Sequence, residues 1–464
     1  MDSATKRRLG WSFLSNIVSR FSQTAITFIQ VPVFLHFWSV PLYGEWLVLN
    51  SIPNYLAFSN SGFGTVAGND MTMLVAGGNR ERALQVFQSC WWLILTICTT
   101  ITLLLCGTLY FLPAALLLKI STISETDTKW IIFYLAVSIL LAQLEMLLQS
   151  AYRSIGRYPY GAFVKSAMAV AAFSCTLLSV ILGYGARTTA LVYAVASIAG
   201  TIFLALLVKH DIPWIEFGWR HARFSEIRRI TRPAIAFMGF PIGIALNMQG
   251  TLLAVSYALG PVSVVVFSTA RTVSRGALQM VQMINSTFEP ELTLSFGAGK
   301  IDLTRALHRR ACQLALLVAV VAVSGVMVVG PYFLHHWTGG HVPPSRGLLS
   351  VLLMVVVVYA LWSTSSTLLT STNQHQKMAA VYLAATSLTC VVCYFFARWE
   401  GLFGAAAALL LSELAMNCYV LPESLHIAQD TFPAFMASML HYPESLKPAA
   451  LLARLRRPKV EVEV

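Results

Sequence analysis

Residues 264–288, VVVFSTARTVSRGALQMVQMINSTF, decide how the whole chain is read. The stretch has the apolar density of a membrane helix, yet Arg271 and Arg275 sit one helical turn apart near its middle. An arginine at a bilayer centre costs roughly 2.5 to 3.5 kcal/mol on insertion scales, whereas a Val, Leu or Phe returns only about 0.3 to 0.6. The two arginines therefore cancel nearly all of the apolar gain around them. The rest of the chain has to decide whether this stretch crosses a membrane and, if it does, what the arginines are for.

The chain has 464 residues, 57% hydrophobic and 11% charged, while soluble domains carry about a quarter charged residues. Runs such as CWWLILTICTTITLLLCGTLYFL (90–112), WIIFYLAVSILLA (130–142) and GLLSVLLMVVVVYALW (347–362) recur along its whole length. They suit a hydrocarbon core of about 30 Å. The expected fold class is an all-α integral membrane protein with about twelve transmembrane helices. Their approximate ranges are about 9–36, 42–67, 84–112, 129–152, 159–184, 188–209, 230–257, 261–287, 307–334, 347–372, 377–397 and 402–424. The first run is too long for a signal peptide, carries Arg20 and lacks a small-residue cleavage site, so it reads as a retained helix.

Charge asymmetry answers the question about residues 261–287, because Lys and Arg near span ends concentrate on the cytoplasmic side. With both termini inside, the inside segments hold Lys6, Arg7 and Arg8, Arg80 and Arg82, Arg153 and Arg157, and six cations from Lys209 to Arg232. They also hold Lys300, Arg305, Arg309, Arg310, Lys377 and the basic tail. The outside loops keep only Lys119, Lys129, Arg187, Arg346 and Arg398. If 261–287 did not cross, the basic segment around Arg309 would face outward, against this bias. The arginine-bearing stretch is therefore expected to span. The net charge of +12 follows from the same asymmetry and suits an anionic leaflet, so nucleic-acid binding need not be invoked.

Six spans per half point to a duplication in parallel orientation. Pro41–Gly77 and Pro261–Gly297 align without a gap, and each is followed by a basic stretch and RAL. The expected organisation is an N-terminal six-helix lobe (1–210), a cytoplasmic linker with amphipathic character (211–229), a C-terminal six-helix lobe (230–424) and a surface-lying or loose cytoplasmic tail (425–464).

Interrupted hydrophobic segments at matching positions of two repeats mark substrate sites in transporters. Spans 2 and 8 fit that description: Asn50, Pro53, Asn54 and Asn60 interrupt the first, and the two arginines interrupt the second. Helical spacing places Ser268, Arg271, Arg275, Gln279, Gln282 and Ser286 on one stripe, and Asn16, Arg20, Gln23, Thr27 and Gln30 on one face of span 1. Span 10 offers Ser363, Ser366, Thr367, Thr370 and Gln374, hydroxyls and amides that equally serve as helix-packing glue. Arginine is different, since a guanidinium at mid-membrane needs a carboxylate, carbonyls or water. Glu145 and Lys165 lie at similar depth and can form a structural ion pair, and Glu413 is the one carboxylate near the middle of a C-terminal span. The expected substrate contacts are Arg20, Arg271, Arg275, Gln23, Asn50, Asn54, Asn247 and Gln279, with Gln249 beside them, and Glu413 is a candidate for proton or ion coupling. Guanidinium forks match phosphate oxygens in a bidentate way, so a phosphate-plus-sugar ligand in a wet cavity between the halves fits both the cations and the amides.

The segments KRRLGWSFLSNIVSRFSQ and YGEWLVLNSIPNYLAFSNSGFGTVAGND, with the double set of six spans, resemble the Wzx-type polysaccharide or O-antigen flippases of the multidrug/oligosaccharidyl-lipid/polysaccharide (MOP) exporter superfamily. The Tyr43-Gly44-x-Trp46 element is the most specific part of the likeness. The resemblance implies a MATE-like, V-shaped pair of pseudo-symmetric lobes around a central cavity. It also implies translocation of undecaprenyl-diphosphate-linked oligosaccharide across a bacterial inner membrane by alternating access, with Arg20, Arg271 and Arg275 as the cavity cations. The partners implied are that lipid-linked substrate, membrane lipids, and the polysaccharide polymerase and assembly machinery. No cofactor is expected beyond coupling to a proton or sodium gradient. Where relatives often carry aspartate in the span 2 element, this chain has Asn60, which weakens any titrating carboxylate there.

Two other function classes remain as alternatives. A drug or cation antiporter of the same superfamily would need buried carboxylates in excess, and the midplane balance here has the opposite sign. A polysaccharide-assembly enzyme (polymerase, ligase or glycosyltransferase) would need an extended polar loop and an acid or base pair, and the outside loops are short. The chain is therefore not expected to be an enzyme. The eight cysteines, the Cys390-x-x-Cys393 pair included, read as small apolar side chains. His335, His336 and His341 read as interfacial histidines, so no metal site is expected.

Overall fold

The computed structural model describes residues 22, 24–58, 61–297, 299–343, 345–372 and 376–440. Among them there is no strand. The helices are α1 (Thr24–Phe37), α2 (Val40–Asn54), α3 (Ser61–Ala76), α4 (Arg80–Phe111), the short α5 (Ala114–Leu117), α6 (Glu125–Ser154), α7 (Tyr158–Ile181) and α8 (Ala186–Asp211). After them come α9 (Phe224–Ala245), α10 (Thr251–Leu259), α11 (Pro261–Gly297), α12 (Ile301–Trp337), α13 (Arg346–Ser371), α14 (Gln376–Ile427) and α15 (Phe432–Leu440).

Local chemistry sets the ends. Asn79 accepts from the Arg82 N–H (3.0 Å) at the start of α4, and Ser124 accepts from the Asp127 N–H (3.1 Å) at the start of α6. Side-chain oxygens thus satisfy donors that the first turn leaves open. Among the described residues, eight helical segments are long and apolar enough to cross a membrane. One of them, within α14, holds two of the expected spans, joined where Glu400 and Gly401 leave helical geometry, with Gly401 at φ +61°. The expected spans outside these eight have visible reasons. The described part of the first is short, α2 and α3 are separated by the tight turn Tyr55–Phe58, and α11 carries its two arginines. This is a multi-pass membrane protein.

One expectation about the interruptions needs correcting. Span 8 is not broken, because α11 runs for 37 residues without a gap. The second break falls in span 7, where the helix loosens into a π turn over Leu246–Gly250. Gly250 is needed there, since a Cβ would lie 2.6 Å from Cys390 Sγ and 2.9 Å from the Tyr55 hydroxyl. The two interrupted segments therefore meet each other, in the manner of π-bulges and broken helices at functional positions. Polar residues at a helical spacing do not break a helix, and this is why the arginine stripe misled.

The chain packs as two compact units. The first holds the described residues up to Ala270, Pro331–Leu348 and Thr386–Leu409, and the second holds Arg271–Gly330, Leu349–Ala385 and the described residues from Leu410. In the first unit Phe87 and Ile94 of α4, Leu147 of α6 and Leu204 of α8 form a buried core, which also takes in Ile212 and Ile215 of the expected linker. Gln88 donates to the Glu216 carbonyl (3.0 Å) and accepts from the His221 N–H (2.7 Å), fixing that segment along α4. In the second unit small residues let helices approach: Val281 packs with Ala315, Ala319 and Ala360. The tail is not loose over 425–440. There Phe435 and Met439 of α15 are buried against Cys312, Leu421 and Leu425, Phe435 stacks on His308, and Asp430 receives both forks of Arg309.

The Tyr43–Trp46 element has a structural job in the first unit. Tyr43 and Trp46 are buried in an aromatic cluster with Phe34 and Trp38. Gly44 lies so close to Pro261 that a Cβ would come within 2.2 Å of its carbonyl oxygen. The fully buried Glu45 carboxylate accepts from the N–H groups of Ser121 (2.7 Å), Thr122 (2.7 Å) and Ile123 (3.0 Å). The element thus seats a helix start and caps the loop before α6.

Candidate functional site

The second unit holds the arginines. On α11, Val273, Ala277 and Val281 face inward, and Arg275, Gln279, Gln282 and Ser286 form the exposed face. From Arg275 onward the polar stripe read from the sequence is therefore the open side of the helix, one turn after another. Arg271, one turn before Arg275, is itself buried at 9% exposure. Its charge lies within electrostatic reach of Glu413 on α14. The Glu413 carboxylate, 5% exposed, accepts from the indole N–H of Trp362 at 2.6 Å.

An aromatic frame holds this constellation. Tyr359 and Trp362 of α13 meet edge to face at 5.1 Å, and Trp362 leans on Tyr382 at 5.8 Å. Gln282 and Ser363 lie beside Tyr359, and both Tyr359 and Tyr382 lie within electrostatic range of Arg275. The frame places Glu413 near Arg271, and Tyr359 and Tyr382 near Arg275. The aromatic residues were invisible to sequence reasoning, because aromatic side chains in apolar spans carry no distinguishing signal until α13 and α14 are packed together. The span 10 hydroxyls turn out to serve their own helix: Ser366 donates to the Ser363 carbonyl (2.7 Å) and Thr367 to that of Thr364 (2.6 Å). Such back-bonding satisfies hydroxyls without a ligand.

The first unit holds a separate cavity of about 360 Å³. Gln30, Asn50, Asn54, Glu145, Lys165 and Tyr193 contribute its polar lining. Asn54 donates to the Asn50 carbonyl (2.8 Å), and Glu145 accepts from Thr201 (2.9 Å). Glu145 and Lys165 were expected as an ion pair. They face the same cavity and sense each other's charge, but among the described residues no ion pair within 4.0 Å joins them. The Thr201 hydroxyl, one helix further on, takes the partner's place. Asn247 is buried in the π turn, where Thr251 donates to its carbonyl (2.6 Å).

The structure thus brings Asn50, Asn54, Glu145 and Lys165 to one cavity of the first unit, and Arg271, Arg275 and Glu413 to one cluster of the second with Gln279 on the same helix face. Arg20, Gln23, Asn16, Asn60 and Gln374 lie outside the described residues. The Cys390 and Cys393 sulfurs each lie against backbone carbonyls, at 3.2 Å from Leu246 and 3.8 Å from Ala405. The thiols act there as packing groups.

The fold is that of a helical membrane transporter of the MATE type. No family model and no curated protein matches the sequence. Among solved structures, an inward-facing multidrug resistance MATE family transporter of the MOP superfamily superposes with a TM-score of 0.69 at 14% identity, covering 89% of this chain and 99% of that one. The outward-facing form of a multidrug resistance MATE family transporter gives 0.61 at 13%, covering 93% and 96%. A MOP superfamily transporter from Pyrococcus furiosus Vc1 (DSM3638), described as having a binding pocket of reverse polarity that suggests a different function, gives 0.62 at 13%, covering 94% and 97%. At these identities the likeness shows the fold. The neighbours are transporters and not enzymes.

Proposed function

We propose that the protein is a flippase, carrying an undecaprenyl-diphosphate-linked oligosaccharide from the cytoplasmic to the periplasmic leaflet of a bacterial inner membrane by alternating access, for assembly of a surface polysaccharide such as O-antigen or an exopolysaccharide. The observation that carries this reading is the pair of guanidinium groups one turn apart on α11. Arg275 is exposed on the polar face of α11, with Arg271 one turn away and Glu413 near Arg271. A cation held there suits an anionic head group, and a guanidinium suits a diphosphate because its fork pairs with two oxygens at once. Gln279 and Gln282 on the same face would receive sugar hydroxyls. Glu413 is the group through which a proton or sodium gradient would couple, since a diphosphate that competes for Arg271 changes the charge Glu413 meets. The polymerase and assembly machinery would then act on the delivered substrate.

The test substitutes Arg271 or Arg275 with alanine and follows surface polysaccharide at matched protein level. A charge-assisted hydrogen bond is worth about 1.5 to 3 kcal/mol, so each loss is expected to lower transport roughly ten- to hundredfold. Arg275→Lys should recover only part of it. Unchanged export in both alanine variants would remove the basis of the reading. The multidrug transporters among the structural neighbours favour a second reading, cation export using the buried carboxylates Glu145 and Glu413. Lys165 in the same cavity as Glu145, and Arg271 beside Glu413, oppose it. A deletion strain whose drug susceptibility changes while its polysaccharide does not would support that second reading.

A further inference from the structure

The segment between α8 and α9 can be placed at a definite depth. α4 has 32 residues, about 48 Å of helix and well over the roughly 30 Å of a hydrocarbon core. Aromatic residues mark where that core begins and ends along it. Trp91 and Trp92 lie toward one end, and Tyr110 and Phe111, 79% and 81% exposed, lie at the other. Trp92 and Tyr110 are 18 residues apart in the sequence. That is about 27 Å of helix, the spacing of two aromatic belts. On α8 the exposed apolar side chains run from Leu191 to Leu206 and stop short of the exposed Lys209. The segment that follows is fastened to α4 at the Trp91–Trp92 level, so it lies among the head groups.

Its inner side is fixed. Phe217 packs on Phe87 and Trp91 with ring centroids 5.8 and 5.0 Å away, and Ser89 accepts from the Arg223 N–H at 2.9 Å. Its outer side carries Trp219, 71% exposed and leaning on Trp92 at 5.3 Å, and Phe224, 80% exposed. Arg220, Arg223 and Arg228 are exposed beside them. Among the described residues no carboxylate lies within 4.0 Å of these three. The neighbouring Arg82 and Arg229 are not available in the same way: Arg229 lies 2.7 Å from both Asp70 and Glu226, and Arg82 lies 3.5 Å from Glu226.

We infer that residues 212–228 form a preformed binding surface for the head groups of anionic phospholipid in the leaflet that the basic bias assigns to the cytoplasm. Three guanidinium groups with no acidic partner among the described residues offer forks to phosphodiester oxygens. Trp219 and Phe224 fill the glycerol level, where amphipathic and aromatic rings settle. The backbone is already held by Gln88 and Ser89, so binding orders little that was free. The inference does not depend on what the protein transports.

The test uses the full-length protein in detergent, titrated with phosphatidylglycerol or phosphatidylcholine, with bound lipids counted by native mass spectrometry. A basic residue near an anionic surface contributes about fivefold in affinity. The triple variant R220Q/R223Q/R228Q is therefore expected to lose at least tenfold of the preference for phosphatidylglycerol. Arg187→Gln, a cation paired with Asp127 at 3.2 Å, should leave the preference intact, and Trp219→Ala should weaken both lipids alike. Absence of a phosphatidylglycerol preference in the parent protein would overturn the inference. So would its retention in a triple variant of unchanged melting temperature. If the triple variant does not fold, Arg220→Gln and Arg228→Gln singly carry the test, each expected to cost about fivefold, and retention of the full preference in both is the overturning result.

Discussion

Replacing Glu45 with glutamine tests whether the Tyr43–Trp46 element is a structural clamp. The carboxylate is fully buried and accepts four hydrogen bonds, from the Ser121 N–H and hydroxyl, the Thr122 N–H and the Ile123 N–H. Three of the four converge on Oε1 and one on Oε2. The best a glutamine can do is keep its carbonyl toward the three and turn its NH2 toward Ile123, donor against donor. Ile123 is buried, so its N–H cannot turn to water, at a cost of about 1 to 3 kcal/mol. The remaining three bonds lose their charge assistance, worth about 0.5 kcal/mol or more each. Together Glu45→Gln should destabilise the protein by about 2 to 5 kcal/mol, while Glu45→Asp, too short to reach all four donors, should fall nearby. The assay is thermal unfolding of purified protein in detergent, followed through tryptophan fluorescence, with Trp38 and Trp46 buried beside the clamp. A melting temperature within a degree of the parent for Glu45→Gln would refute the reasoning, because no rearrangement of the amide satisfies a buried backbone donor it faces with another donor.

Two further outcomes are expected. Gly44→Ala puts a methyl 2.2 Å from the Pro261 carbonyl oxygen, a backbone atom that cannot swing aside, and should lose about 2 kcal/mol or more or prevent accumulation. Gly107→Ala, where a Cβ meets nothing within 4 Å in the C-terminal part of α4, should instead raise the melting temperature slightly, since alanine gains up to about 1 kcal/mol over glycine in a helix; equal effects in the two variants would contradict the packing described. Burial works to raise the Asp430 carboxyl, but Arg309 and the Thr431 N–H hold it below the usual aspartate range. A depressed folded-state pKa gives stability that is complete above the unfolded value of about 3.9 and is lost as pH falls through the folded value. Proteolytic nicking around α15 should therefore rise only below about pH 4, and Asp430→Asn should be nicked faster at pH 7 with that acid-side change abolished.

Much of the architecture was legible from composition and charge bias. Lipid demands long apolar runs whatever the fold, and the charge bias leads to the expectation that 261–287 crosses. The polar stripe of α11 was legible too, because a period of 3.6 is a property of one helix. The interruption of span 2 was legible as well, because Pro53 is a local signal and the helix breaks just after it. That of span 7 was not, since its π turn depends on Gly250 packing against Tyr55 and Cys390. The linker looked merely amphipathic, and its anchoring needed Gln88 and Ser89, which lie more than a hundred residues away.

For the site, the sequence by itself determined the chemical inventory: which spans carry cations, how few carboxylates those spans contain, and the helical spacing of the polar groups along α11. Charge costs so much in lipid that their presence is informative without coordinates. Tertiary structure alone decided the company those residues keep. It set Trp362 on Glu413 and Tyr359 near Arg275, gave Glu145 to Thr201 and not to Lys165, and made Glu45 a loop cap. Hydrogen bonds and close packing join residues that are far apart in the chain, and pairings of that kind leave no periodicity for a sequence to display.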